Sequence, residues 1–432
     1  MEVSLETTEG LERRLTVRLP GRDFHERYEA RLASLAKTVR INGFRRGKVP
    51  LKVVRQRYGA SARDEVLAEL VEQSYRRILQ ERKLVPAAPP RIDAKAPADA
   101  EAELEYTAVF EVLPEFELAD LSGLEIKRPQ VEITEADVDE TIERLRAQAG
   151  EWRAVERPAA AGDRVRIDYQ VSVAGERRSE ADRQDALAVL EEGGESSEFV
   201  RQLLGIAAGE RRQVTVTMPE DHQDEALRGK AVTFEVECKA VEELVKPPLD
   251  EAFVRRFDIE DGNLETLRAR VRRQLEHEAR RAVRERLRRQ VLDGLIALNP
   301  IELPKTMVAQ RAEWLRRVTA RQLGLKPELA DRLPLEHFQE AAARQVHLQL
   351  LTEKVREAFD LKLDRAQVER LIAEEAADYQ DPEAMVEYFR SNEGELRRFI
   401  SQALEDQVID AVLGRAEVID EPTPFAQLMG KA

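Results

Sequence analysis

The sequence predicts a multidomain α+β protein: a small α+β domain first, an antiparallel sheet with one helix in the middle, and an all-α C-terminal domain. Three observations carry that expectation. Apolar residues alternate at period two in the first twenty positions and again between Val165 and Cys238. Beyond Leu264 they recur at steps of three and four instead. Prolines at 114, 129, 247, 248, 300 and 304 stand where the pattern changes, and 432 residues are too many for one hydrophobic core. The expected domains are 1–115, a linker 116–149 that packs with the C-terminal domain, 150–245 and 246–432.

Taken in order, Val3 and Leu5, then Leu11, Leu15, Val17 and Leu19, read as two strands ending at Pro20-Gly21. Phe24, Tyr28, Leu32, Leu35 and Val39 give a helix over Asp23–Arg40. A second helix runs from Pro50 to Arg82, with a break expected near Gly59, and Pro50 is expected in its first turn. Ile92 and the series Leu104, Tyr106, Ala108, Phe110, Val112 complete the sheet. Thr134, with Asp137 three residues on, opens a helix over 134–149 with Val138, Ile142 and Leu145 on one face. Strands follow at 165–173, 214–218 and 232–238, with a hairpin turn at 174–176 and one short helix over Ser197–Leu204. In the tail, a helix is expected at 264–298, another starts after Pro300 and Pro304, and later ones run over 335–359, 365–379, 382–390 and 393–415. Met307, Trp314, Leu323, Leu325, Met385, Phe389 and Phe399 are either core residues or the lining of an open apolar surface.

Between the first two helices stands Asn42-Gly43-Phe44-Arg45-Arg46-Gly47-Lys48-Val49-Pro50, a short loop with one large aromatic among three cations. Burying a phenylalanine contributes about 1.5–3 kcal/mol, so leaving one on a cationic tip implies that a partner covers it. From Arg13 to Arg57 there are fourteen Lys and Arg against three acids, although the whole chain carries a net charge of −15. A basic patch on an acidic protein points to a localised polyanion such as RNA.

The remaining composition mostly excludes. Aromatics are 5% and charged residues 35% of the chain, which favours long solvated helices over a large enzyme core. The first ten residues have neither a basic nor an apolar leader segment, and no apolar run approaches the ~18 residues that span a bilayer. A soluble, cytoplasmic protein without a membrane contact is expected. The lone Cys238 excludes an internal disulfide framework and reads as a small residue on an apolar strand. No phosphate-binding loop, nucleophile elbow or paired histidines occur among the motifs, so neither cofactor nor metal is expected. Peptidyl-prolyl isomerisation stays open, since it needs only an apolar pocket that desolvates and twists an amide.

Gly43-Phe44-Arg45-Arg46-Gly47-Lys48-Val49-Pro50 resembles the ribosome-docking signature G-F-R-x-G-K-x-P of the bacterial trigger factors, a family of ribosome-associated chaperones. Leu303-Pro304, Tyr379-Gln380-Asp381-Pro382 and the run from Ala403 to Met429 resemble that family too, so the likeness spans essentially the whole chain. It implies an N-terminal domain that docks beside the ribosomal exit tunnel on a ribosomal protein and rRNA through Gly43, Phe44, Arg45, Arg46, Gly47, Lys48 and Pro50. It implies an FKBP-like middle domain, and C-terminal helical arms that hold nascent or unfolded polypeptides without ATP, assisting folding and export. It also implies a capacity to pair as a homodimer off the ribosome.

Within the middle domain the resemblance places Tyr169, Phe199 and Phe234 at pocket-aromatic positions of an isomerase. Around them the family pattern is eroded. Gln170-Val171 replaces Thr-Gly, Arg178-Ser179 replaces Phe-Asp/Glu, and Ser196-Ser197-Glu198 replaces Ile-Pro-Gly. His222 and Ala186 stand where a tyrosine and a phenylalanine belong. Charge from Arg178 and Glu198 on the wall of a desolvated pocket would be costly, so weak or absent isomerase activity is expected. The competing readings are a free prolyl isomerase and a plain RNA-binding protein. The latter would need more aromatics among the basic residues than Phe24, Tyr28, Phe44 and Tyr58. A periplasmic chaperone is disfavoured by the missing leader.

Overall fold

The computed structural model describes residues 2–430 except 43, 45–46, 100, 174–175, 191–196, 221–226, 378 and 380, and omits the side chains of 197 and 327–328. The chain folds as two compact units, Met1–Arg128 with Arg286–Ile419, and Pro129–Glu285 with Asp420–Ala432.

In the first unit, β1 (Glu2–Thr7) and β2 (Glu12–Leu19) form a hairpin, followed by the helices α1 (Gly21–Thr38) and α2 (Leu51–Arg82) and the strands β3 (Arg91–Lys95) and β4 (Leu104–Glu111). The antiparallel sheet has the order β1-β2-β4-β3. Alternation does its expected work here: Leu15, Val17, Leu104, Tyr106 and Ala108 point to one face and pack under Val66, Leu70, Tyr75 and Ile78 of α2. Helix α2 is continuous, which corrects the expected break at Gly59. A Cβ at that position would lie 2.9 Å from the Tyr28 hydroxyl, so the glycine admits the close approach of α1. Pro50 is the N-cap rather than a first-turn residue, with extended ψ of 138° and its carbonyl accepting from the N–H groups of Val53 and Val54.

The strand β5 (Glu125–Gln130) leads into α3 (Glu135–Gln148). Thr134 and Asp137 close a reciprocal capping box at its start, and Val138 and Ile142 are buried as the spacing requires. The middle sheet comprises β6 (Glu151–Val155), β7 (Arg164–Val173), β8 (Glu176–Arg177), β9 (Arg183–Val189), β10 (Arg211–Thr217) and β11 (Ala231–Val245), with α4 (Ser197–Leu203) between β9 and β10. β11 is its central strand, paired with β10, β7 and β6, while β9 and β8 pair with β7. β9 escapes the alternation rule because it keeps Leu187 and Val189 exposed and pairs at a β-bulge.

Beyond Pro248 come α5 (Glu251–Arg255), α6 (Leu264–Leu298), α7 (Lys305–Gln322), α8 (Gln339–Ala358), α9 (Arg365–Ala376), α10 (Pro382–Ser391) and α11 (Glu393–Leu413). A short strand, β12 (Glu417–Pro422), then pairs with β5, and α12 (Phe425–Leu428) follows. That strand interrupts the run read as helical; it is mostly exposed, so burial leaves no periodic signature in it. In the second unit, Phe253, Val254, Leu267, Val271, Leu275 and Phe425 pack on α3. In the first, Leu121, Leu124 and Ile126 pack against Val291, Leu295, Leu351, Val355 and Val408. Phe389 and Phe399 are core to the α9–α11 cluster. Trp314 and Leu323 of the α7 region remain 50% and 63% exposed.

Candidate docking loop and aromatic cluster

The loop after α1 is held at both ends by burial. Ile41 on one side and Val49 on the other belong to a small core with Leu32, Val54 and Ala62. Of the described residues between these anchors, Asn42, Phe44, Gly47 and Lys48 are all exposed. The Phe44 N–H donates to the Ile41 carbonyl at 3.1 Å, which starts the turn. Gly47 sits at φ +76°, a left-handed conformation that other residues rarely adopt. Phe44 is 41% exposed, Lys48 is exposed, and Leu51 at the start of α2 is 46% exposed. Gly43, Arg45 and Arg46 lie outside the described residues.

The basic segment divides in two when its partners are traced. Arg18, Arg22, Arg27, Arg31 and Arg55 each meet a carboxylate, from Glu105, Glu26, Glu69, Glu65 and Glu29 respectively. Among the described residues, Lys37, Arg40, Lys48, Lys52 and Arg57 meet none, and all five are exposed around the loop. Internal neutralisation thus removes charge along α1 and the facing part of α2, while Arg13 and Arg14 of β2 also meet no carboxylate among the described residues, away from the loop. The arrangement suits an apolar contact through Phe44 and Leu51, ringed by cations that can attract acidic side chains or phosphate. Leu51 was not foreseen. It stands three residues before Val54 and seven before Tyr58, the spacing of a core residue, so periodicity conceals its exposure.

In the middle domain the three aromatics meet. Phe234 of β11 lies 5.7 Å from Tyr169 of β7 and 5.1 Å from Phe199 of α4, both edge-to-face. Ala186 packs nearby in the same core. Arg178 and Glu198 do not enter the cluster, contrary to the expectation that they would charge its wall. Both side chains are exposed; Arg178 pairs with Glu180 at 3.7 Å and Glu198 accepts from the Thr217 N–H at 3.3 Å. Long charged side chains reach solvent at little cost, so the desolvation penalty is avoided. Ser196 and His222 lie outside the described residues, as does the side chain of Ser197. An open hollow of about 500 Å³ on this sheet is bordered by Tyr169 but is otherwise lined mainly by polar residues such as Asp168, Gln170, Arg177, Asp182 and Glu237.

The carboxylates here serve the fold. Asp163, with a side chain 6% exposed, accepts from Arg157 and from the Ala160 N–H at 2.7 Å, and the Arg157 guanidinium holds its carboxyl below the usual range. Arg164 and Arg166 do the same for the buried Glu242. Cys238 is fully buried, and burial pushes its thiol up, away from reactivity. Among the described residues no His, Cys, Asp or Glu group could hold a metal ion, and no helix is long and apolar enough to cross a membrane.

Comparison with known families agrees with this layout. Residues 1–145 match a family model described as bacterial trigger factor protein, and residues 263–414 match its C-terminus. Residues 155–239 match FKBP-type peptidyl-prolyl cis-trans isomerase. The trigger factor of Alkalilimnicola ehrlichii is 42% identical over 99% of this chain and 95% of its own length. That of Thioalkalivibrio sulfidiphilus is 40% identical over 99% and 98%, and that of Pseudomonas putida 39% over 100% and 98%. A solved structure concerning promiscuous substrate recognition by the trigger factor chaperone covers 96% of this chain at 18% identity and a TM-score of 0.49.

Proposed function

The chain belongs to the trigger factor family of chaperones, and from that premise we propose that it docks on the ribosome through the loop 42–50 and holds emerging polypeptides in the cytoplasm. The observation that carries this reading is the exposed Phe44 on a loop pinned by Ile41 and Val49 and flanked in sequence by Lys37, Arg40, Lys48 and Lys52, exposed and, among the described residues, unpaired. Phe44 fills an apolar pocket of a ribosomal protein, with Leu51 beside the contact. Arg45 and Arg46 pair with acidic groups or rRNA phosphate, Lys48 adds longer-range attraction, and Gly43 and Gly47 shape the turn. Replacing Phe44, Arg45 and Arg46 together by alanine abolishes co-sedimentation with ribosomes and leaves the circular dichroism spectrum unchanged. Full retention of co-sedimentation removes the assignment. Exposed Trp314 and Leu323 are the apolar residues of the α7 region best placed to meet polypeptide clients. The domain limits 1–115, 116–149, 150–245 and 246–432 remain our division of the chain by role. Pairing as a homodimer off the ribosome belongs to the same reading.

The second reading concerns Tyr169, Phe199 and Phe234. Their edge-to-face cluster supports residual FKBP-type isomerase activity, while Ala186 in place of a larger ring and the polar surroundings support a weak one.

A further inference from the structure

Helix α6 carries a second basic feature, far in sequence from the docking loop. Between Arg268 and Arg289 the chain has ten arginines against three glutamates. At ~100° per residue, Arg270, Arg273, His277, Arg280, Arg281 and Arg284 share one arc of the helix, roughly 100° wide. Glu276, Glu278 and Glu285 fall outside that arc. The opposite face holds Leu267, Val271, Leu275 and Ala279, all buried, which fixes the basic face outward.

Partners separate the arginines further. Arg268 and Arg272, on the opposite side of the helix beside Leu275 and Ala279, are bound by Glu135 and Asp139 of α3, and Arg270 donates to the Phe257 carbonyl at 2.6 Å. Arg273, Arg280, Arg281 and Arg284 are exposed and, among the described residues, form no ion pair or hydrogen bond. Four uncompensated guanidinium groups therefore line up over the twelve residues from Arg273 to Arg284, about 17 Å of helix at ~1.5 Å per residue.

We propose that this stripe binds the phosphate backbone of RNA. Over its length a nucleic-acid duplex presents about ten phosphates, at roughly one charge per ~1.7 Å, so every arginine can find one. A protein partner is the poorer match, because protein interfaces centre on apolar and aromatic anchors and no apolar side chain lies on this arc between Arg270 and Arg284. A membrane surface fits no better, since the apolar face that would insert is already buried in the core. The stripe lacks aromatics to stack on bases, so binding is indifferent to sequence and steeply dependent on salt.

The test uses the full chain with the docking loop already disabled (Phe44→Ala, Arg45→Ala, Arg46→Ala), so that its outcome is independent of the loop's role. Binding of a fluorescent 20-base-pair RNA duplex is measured against salt, with and without Arg273→Gln, Arg280→Gln, Arg281→Gln and Arg284→Gln together. The four changes are expected to weaken binding at least tenfold at low salt and to flatten the log–log salt slope by about 3.6, at ~0.9 per phosphate contact. The corresponding four Arg→Lys changes keep most of the affinity. The melting temperature is unchanged, because none of the four side chains has a partner to lose. Affinity within twofold of the parent after the Gln changes overturns the proposal. So does tighter binding of a DNA duplex of the same sequence, equal binding of polyglutamate, or capture by anionic vesicles that RNA does not compete away.

Discussion

Glu111 offers a test of how the N-terminal sheet is joined to the helical part of its own unit. Helix α7 begins after Pro304, which has no side chain able to cap it, so its first N–H groups need an acceptor from elsewhere. Glu111, at the end of β4 and 9% exposed, supplies it: its carboxylate accepts from the N–H of Lys305 at 3.0 Å, the N–H of Thr306 at 2.7 Å and the Thr306 hydroxyl. A capping acceptor is worth about 1 kcal/mol, and a carboxylate at a helix N-terminus adds about 0.3–1 kcal/mol, more where it is partly buried. Glu111→Ala should therefore destabilise the junction by about 2–3 kcal/mol, counting the hydroxyl. Glu111→Gln, which keeps one acceptor and loses the charge, should cost about 1 kcal/mol. Hydrogen–deuterium exchange in the first two turns of α7 reads this directly. At ~1.4 kcal/mol per tenfold, the alanine variant exchanges about 30- to 150-fold faster there, with little change in α9–α11. A change below threefold, or identical behaviour of the Ala and Gln variants, would refute the capping argument.

Other outcomes follow from the same structure. Gly294 of α6 would place a Cβ 2.3 Å from Leu124 Cδ1, so Gly294→Ala should cost about 1–3 kcal/mol through overpacking, despite its better helix propensity, as read by thermal unfolding. The Asp163 carboxyl is lowered by Arg157, so its contribution to stability is full above the unfolded value of ~3.9 and is lost as pH falls through the lower folded value. Asp163→Asn should then cost about 1–2 kcal/mol at neutral pH, moderated because Arg157 is 43% exposed. The same change should flatten the acid limb of middle-domain unfolding, and an unchanged limb would contradict the pairing. On a short prolyl peptide the chain should accelerate cis-to-trans exchange only weakly; a robust rate blocked by an FKBP inhibitor would show that the aromatic cluster suffices for catalysis.

Much of the fold was legible because its elements are amphipathic. Val138 and Ile142 announce α3, and Leu15, Val17 and Tyr106 announce the first sheet, since each buries one periodic face. What escaped lacks that signature. β12 is largely exposed, β9 is bulged, and Gly59 looks like a helix breaker until Tyr28 is seen against it. Site residues divide the same way. Phe44 stood out as an aromatic with no core to enter, whereas Leu51 wore the spacing of a core residue. The excess of cations was countable in the sequence, but only the ion pairs show which of them remain free at the tip. Arg178 and Glu198 looked like intruders in the prolyl pocket by position, yet their length lets them leave it.

The docking loop carries the functional reading, and a single substitution tests it most directly. Phe44 keeps 41% of its surface exposed, about 80 Å² of a ~200 Å² side chain, and burying that area contributes about 2 kcal/mol at ~25 cal/mol per Å². Titrating labelled protein onto purified ribosomes at fixed moderate salt should show Phe44→Ala binding about 30-fold more weakly than the parent. An affinity within threefold of the parent would contradict docking through this loop.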